Sequence, residues 1–298
     1  MASLKIVAIL QAYNEQRFIG GCLDHLAEQG ISAYLIDNES SDDTVAIAER
    51  SLSRNLIGIE SLARDGHFAL RKQLARKEEL AQSLDADWLI HLDADEFRVS
   101  SQPRSTLAEA IAEADEAGFN AVNFIEFVFM PTREAPDHEH PDFVETMRSY
   151  YPYIPRLPHR LNAWKRQDGP IELAAGGHLV RFPGLSMSPR SLYSRHYLFL
   201  SVAHAARKFG PERYAPEEVA HGWHRWRVQL NPAKIELHSE ADLRGYVADH
   251  LLDASEPFTQ MDQLVRIRPS RHRSPAWLRR AVRGGRSRTR RLRRAISG

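Results

Sequence analysis

The pattern of apolar and polar positions alternates between two periods over the first 130 residues. Lys5 to Leu10 is a short apolar run that reads as a buried strand. After the polar Gln11–Glu15 stretch, Phe18, Ile19, Cys22, Leu23 and Leu26 recur at helical spacing as far as Gly30. Ala33 to Ile36 gives a second strand running into Asp37-Asn38-Glu39-Ser40-Ser41-Asp42-Asp43-Thr44, where Ser41 is placed to cap a helix with acids in its first turn. Leu56 to Ile59 predicts a third strand, Phe68 to Leu84 a third helix, and Trp88 to Leu92 a fourth strand that ends abruptly in Asp93-Ala94-Asp95-Glu96. Thr106 and Glu109 have the spacing of a capping box at the head of a helix that runs to Gly118, and a long strand follows from Ala121 to Met130.

Strand and helix alternating over short connections predict an α/β fold, a three-layer, mostly parallel sheet with helices on both faces. Periodicity lapses from Pro131 to Pro170, which reads as a long functional loop and a candidate substrate lid. Ile171 to Phe182 reads as a hairpin around Gly176-Gly177-His178. Ser191 to Leu200 is an aromatic-rich segment leading into a helix through Lys208, and Glu236 to Leu252 is expected to be one more helix in a helical C-terminal extension. The expected organisation is one catalytic domain in two halves, 1–130 and 131–265, followed by a flexible Arg-rich tail, 266–298.

Charge sharpens that division. The 298 residues are 43% hydrophobic, enough for a full core, with a formal net charge of +1. From Arg266 onward there are 13 arginines and no acid, leaving 27 basic against 39 acidic residues before it. An acidic body of about −12 repels a phosphate backbone and no recognition fold precedes the tail, so nucleic acid is not an expected partner. The tail is either a solvated end or a contact with anionic lipid, where each cation near the surface contributes about 1 kcal/mol. The single cysteine, Cys22, allows no intrachain disulfide, Ile6–Leu10 is too short for a signal sequence, and no apolar run reaches membrane-span length. The expected location is cytoplasmic, with peripheral contact at the inner face of the membrane.

Candidate chemistry gathers at the strand ends. Three carboxylates within four residues, Asp93, Asp95 and Glu96, repel one another unless they are solvated or share a cation, and hard divalent ions take carboxylate oxygens. A solvated acidic turn is the simpler account of an isolated Asp-x-Asp. Residues 11–16 hold no glycine, which excludes a Rossmann dinucleotide loop and a P-loop after the first strand. They offer Tyr13, Asn14 and Glu15 instead, beside Asp37 and then Asp93 and Asp95. An aromatic ring and an isolated acid suit a base and ribose hydroxyls, and the acid cluster suits a diphosphate through a metal.

These residues carry a resemblance. Ala12-Tyr13-Asn14-Glu15, the Asp37–Thr44 segment and Leu92-Asp93-Ala94-Asp95-Glu96 resemble, in order, the motifs of inverting glycosyltransferases of family 2, which have the type A nucleotide-sugar transferase fold. Gly66-His67-Phe68-Ala69-Leu70-Arg71 is similar to the segment that sends an arginine toward the pyrophosphate, although Lys72 and Gln73 replace the usual small polar continuation. The resemblance covers roughly residues 4–130. Beyond it only Gly177-His178 and Arg195-His196-Tyr197, with Lys208 downstream, resemble a bacterial subgroup.

The resemblance implies a metal-dependent transferase that moves a sugar from a nucleotide diphosphate sugar, UDP above all, to a sugar or lipid-linked hydroxyl acceptor, as in cell-surface polysaccharide biosynthesis. In that reading 1–130 is the nucleotide-sugar half and 131–265 the acceptor side. Gln11, Tyr13, Asn14, Glu15 and Asp37 face the donor, Asp93 meets the ribose, Arg71 the pyrophosphate, and Asp95 binds Mn²⁺ or Mg²⁺. His178, beside a glycine pair, and His196, between Arg195 and Tyr197, are candidate further metal ligands. The general base has three candidates: Glu126, which interrupts an apolar strand face, and Asp168 and Glu172, which flank Gly169-Pro170. The Trp223–Arg227 run suits either an acceptor sugar or the core. Other readings are a non-catalytic binding or scaffold protein on the same fold, and a nucleotidylyltransferase, which normally wants a glycine-rich basic loop where this chain has Gln11–Gln16.

Overall fold

Four strands, β1 (Ile6–Ala12), β2 (Ser32–Asp37), β3 (Leu56–Ser61) and β4 (Trp88–Asp93), lie parallel in the spatial order β3-β2-β1-β4. Helices α1 (Ile19–Glu28), α2 (Thr44–Glu49) and α3 (Leu70–Ser83) connect them. The computed structural model describes residues 4–64, 66–153, 157–209, 214–220, 228, 231, 234–247 and 252–255. β1 shows why its run is apolar throughout. Ile6, Ala8 and Leu10 pack into one core cluster with Phe18, Cys22 and Leu26, while Val7 and Ile9 pack into the other with Leu74, Leu80 and Ala81 of α3. A parallel strand covered on both faces has no polar side to show.

The sheet then turns mixed. A short β5 (Glu96–Val99) follows the acid turn, and α4 (Leu107–Glu116) opens with the expected box, Thr106 N–H donating to Glu109 at 2.8 Å and Glu109 N–H to Thr106 Oγ1 at 3.2 Å. β6 (Ala121–Phe129) pairs antiparallel with β8 (Arg160–Lys165) and β7 (Ser149–Tyr153), and parallel with β11 (Leu192–Tyr197). β9 (Glu172–Ala174) and β10 (Leu179–Arg181) form the expected hairpin, and α5 (Phe143–Thr146), α6 (Val202–Lys208), α7 (Pro216–Ala220) and the two-residue β12 (Arg244–Gly245) complete the described elements.

Three expectations are corrected. The 131–170 segment is not a lid: β8 lies inside the sheet between β4 and β6, antiparallel to both, and its polar Arg160 and Asn162 are buried against other polar groups, which hid it as a core strand. The second helix begins at Thr44, because the Ser41 hydroxyl and N–H turn to Asn14 instead of capping. The described part of 236–252 is a 3₁₀ turn, Glu240–Asp242, capped by Ser239, leading into β12. The Trp223–Arg227 run and the 266–298 tail lie outside the described residues. No described helix is long and apolar enough to cross a membrane.

Candidate active site

Strand register sets the site. Gln11 lies opposite Asp93 and Ala12 opposite Asp37, so β1, β2 and β4 end level and their turns meet. Asn14 takes a left-handed conformation (φ 56°), from which its N–H donates to Ser40 Oγ at 3.0 Å and its side-chain oxygen accepts from Ser41 N–H at 2.8 Å. The Asp37 carboxylate accepts the Ser40 N–H at 3.1 Å. Asn14 and Asp37 thus build the two turns and do not line the cavity that opens above them.

That cavity, about 860 Å³, is lined by Gln11, Tyr13, Glu15, Arg71, Asp93 and Asp95 from the first half of the chain and by Glu172, Gly176, His178, Arg181, Lys208 and Tyr214 from the second. Its size suits a nucleotide-scale ligand. Tyr13 lies under the Arg64 guanidinium, 3.4 Å from the ring centroid. The first turn of α3, which carries Arg71, has its N–H groups held by a distant acid: Glu218 accepts from Leu70 and Arg71 at 3.1 and 3.0 Å. Three lining residues carry a buried acceptor oxygen without a hydrogen-bond partner among the described residues: Gln11 Oε1, Gln73 Oε1 and Asp93 Oδ1. Gln73 went unrecognised in the sequence. It is 1% exposed and donates to Asn38 Oδ1 at 2.9 Å, and its signal was a polar residue on the buried Leu70–Leu74–Lys77 face of α3.

Asp95 sits among cations. Its Oδ2 accepts from Lys208 Nζ at 2.7 Å and lies 3.4 Å from His196 Nε2, and Lys208 also reaches Glu15 at 3.5 Å. Burial works to raise the Asp95 pKa, but the charges of Lys208 and His196 outweigh it and hold the carboxyl well below the usual range. Burial likewise opposes the charge on His196, yet Asp95 on one nitrogen and Glu126 on the other raise its pKa to about 10. Glu126 accepts from His196 Nδ1 at 2.5 Å, His159 Nε2 at 2.7 Å and the Arg160 guanidinium at 2.9 and 3.0 Å. Burial works to raise its pKa, but the charge of Arg160, the hydrogen bonds from His159 and His196 and the charge of His196 outweigh it and hold the carboxyl well below the usual range. Glu126 is 1% exposed and absent from the cavity lining, and its carboxylate is taken up by His196, His159 and Arg160, which it holds in place.

His178 lines the cavity but is not brought to Asp95. Arg160 Nη1 lies 2.5 Å from its Nδ1, and burial, then Arg160 and His91, push its pKa well down. A guanidinium stands where an ion would have to be. The glycine pair serves a different approach from the one expected: Gly177 (φ 90°) packs so tightly on His91 that a Cβ there would fall 2.3 Å from the ring. Behind His91, the fully buried Lys77 meets its Nδ1 at 3.2 Å, with a pKa that burial lowers to about 8 against the opposing charges of Asp93 and Glu96. Asp168 is exposed and off the cavity, whereas Glu172 is exposed on its wall, paired with Arg181 at 3.5 Å.

Asp95 and His196 suit a divalent ion. Two donors 3.4 Å apart can both contact an ion at about 2.1 Å, and a carboxylate on the far nitrogen of a ligating histidine is the usual support for such a site. No cluster of three His, Cys, Asp or Glu side chains among the described residues is placed to hold an ion. Phosphate oxygens of a ligand would have to complete the coordination shell.

No curated protein matches the chain in sequence. Among solved structures, S. aureus TarS 1–349 in complex with UDP-GlcNAc aligns with a TM-score of 0.40 at 15% identity, covering 77% of this chain and 69% of that one. The same protein with UDP gives 0.41 at 16%, covering 66% and 61%. Glucosyl-3-phosphoglycerate synthase from Mycobacterium tuberculosis, in complex with Mn²⁺, UDP and phosphoglyceric acid, gives 0.28 at 18%, covering 41% and 43%. In a further S. aureus TarS structure, this chain spans only 37% of the length of its counterpart. Membership rests on sequence: the family model for glycosyl transferase family 2 matches residues 7–168, more than half the chain, from β1 through β8, and the protein belongs to that family of glycosyltransferases.

Proposed function

We propose that this glycosyltransferase moves a sugar from a nucleoside diphosphate sugar, with UDP as carrier, to a hydroxyl acceptor, with inversion at the anomeric carbon. The observation that carries the reading is the convergence of Tyr13, Asp93 and Asp95, from the ends of β1 and β4, with Arg71 and Lys208 on one nucleotide-sized cavity. Tyr13 forms the aromatic wall for the base, and Arg71 and Lys208 bring cations to the diphosphate. A divalent ion, Mn²⁺ or Mg²⁺, held by Asp95 and His196 acts when bound as a Lewis acid toward the diphosphate oxygens.

Of the three base candidates, Glu172 is the one on the cavity wall. The acceptor oxygen bonds to the anomeric carbon as the bond from that carbon to the phosphate oxygen breaks, the electron pair leaves on the diphosphate, and the acceptor proton passes to Glu172. The acceptor is a sugar or lipid-linked hydroxyl, and the arginines from Arg266 onward draw the enzyme to the anionic inner face of a membrane.

Calorimetric titration with UDP, with and without Mn²⁺, followed by assay of UDP-sugar hydrolysis, tests this. Metal-enhanced UDP binding and donor hydrolysis are expected. Failure to bind UDP in either condition overturns the reading, and binding without hydrolysis or transfer makes the chain a binding protein. Glu172→Gln is expected to lower turnover by about 10²–10⁴ while sparing UDP affinity.

A further inference from the structure

Asp95 has an occupant of its own. α6 ends in two cations, and they part company: Arg207 turns outward to Glu139, while Lys208 enters the cavity. There its ammonium lies 2.7 Å from Asp95 Oδ2, 3.5 Å from Glu15 Oε2 and 4.6 Å from the Phe18 ring centroid. The lysine therefore bridges the carboxylate after β1 to the one after β4, from a helix beyond the 7–168 family match. All three side chains are 10–15% exposed, so solvent screens them little.

The same oxygen, Oδ2, also faces His196. An ion bound there at about 2.1 Å would stand within a few ångströms of the ammonium in a poorly screened cavity, which costs strongly. Lys208 must move for the ion to enter. Its stem of four methylenes allows that, and a diphosphate arriving with the ion supplies the negative charge the ammonium loses.

We propose that Lys208 is an exchangeable internal cation: it neutralises Asp95 in the donor-free enzyme, excludes the divalent ion, and transfers to the donor's diphosphate when metal and nucleotide enter together. This rests on the donor reading above and goes beyond it by coupling metal and nucleotide binding through one side chain. Coupling is reciprocal, so Mn²⁺ tightens UDP by the factor by which UDP tightens Mn²⁺.

Lys208→Met keeps the stem and removes the charge. In the wild-type protein, Mn²⁺ binding followed by electron paramagnetic resonance is expected to be weak alone and at least tenfold tighter with saturating UDP. In the variant, Mn²⁺ alone is expected to bind about tenfold tighter, UDP alone about tenfold weaker, and the coupling factor to fall toward one. Lys208→Arg, which keeps the charge, is expected to retain the coupling, and a thermal melt of each variant separates these effects from misfolding. Wild-type protein that binds neither UDP nor Mn²⁺ overturns the donor reading. Wild-type coupling that survives unchanged in Lys208→Met, or a variant that binds Mn²⁺ alone no better, overturns the inference about Lys208 and leaves the donor reading standing.

Discussion

Two buried histidines show how differently the two halves of the molecule are built. His25, in the last turn of α1, lies in the parallel half, donates to Arg98 O at 2.7 Å and stacks near Phe97. Burial, aided by the charge of Arg195, lowers its pKa to about 4, so it is neutral. His196, on β11 in the mixed half, is equally buried but lies between Asp95 and Glu126 and is charged. The parallel half keeps its strand interiors largely apolar, His91 of β4 apart, and brings its cavity-lining polar groups out at strand ends. The mixed half carries Glu126, Arg160 and His196 within its strands and neutralises them mutually. Both halves line the cavity, and the buried charge network behind it belongs to the second.

The largest test of this contrast is Glu126→Ala. It leaves Arg160, His159 and His196 buried around a lost charge and is expected to cost about 3–5 kcal/mol in urea unfolding. Glu126→Gln, which keeps an acceptor, should recover part of it. A loss below 1 kcal/mol would erase the distinction between the halves.

Next comes pH. The unfolded chain protonates His25 near 6.5 and the folded one near 4, so stability held above pH 6.5 is lost as pH falls toward 4, by up to roughly 3 kcal/mol. His196 has the opposite sign: its contribution is complete below pH 6.5 and is lost as pH rises through about 10. His25→Gln is expected to flatten the acid limb of urea midpoints measured from pH 4 to 8 and leave the alkaline limb as it was.

The smallest effect is local. Thr106→Ala removes the oxygen that caps α4 and is expected to cost about 1 kcal/mol in thermal unfolding, with UDP affinity unchanged, because the box touches no cavity residue.

The sequence by itself determined the parallel half and where its chemistry emerges. β1, β2, β4 and the α4 cap follow from runs and spacings that local physics makes unambiguous, and strand-end geometry puts Tyr13, Asp93 and Asp95 in one place. Family resemblance added Arg71 and His196, both of which lie at or against the cavity. Only the tertiary structure decided the rest. β8 hid behind Arg160 and Asn162, because a buried charge reads as a loop until its partner, 34 residues away in the case of Glu126, is known. The same reason separates Glu126 from the cavity, gives His178 to Arg160, and brings Lys208 across 113 residues to Asp95. Apolar burial is written into each segment's own pattern, whereas charge pairing across the fold is a property of two segments at once, and no single stretch of chain records it.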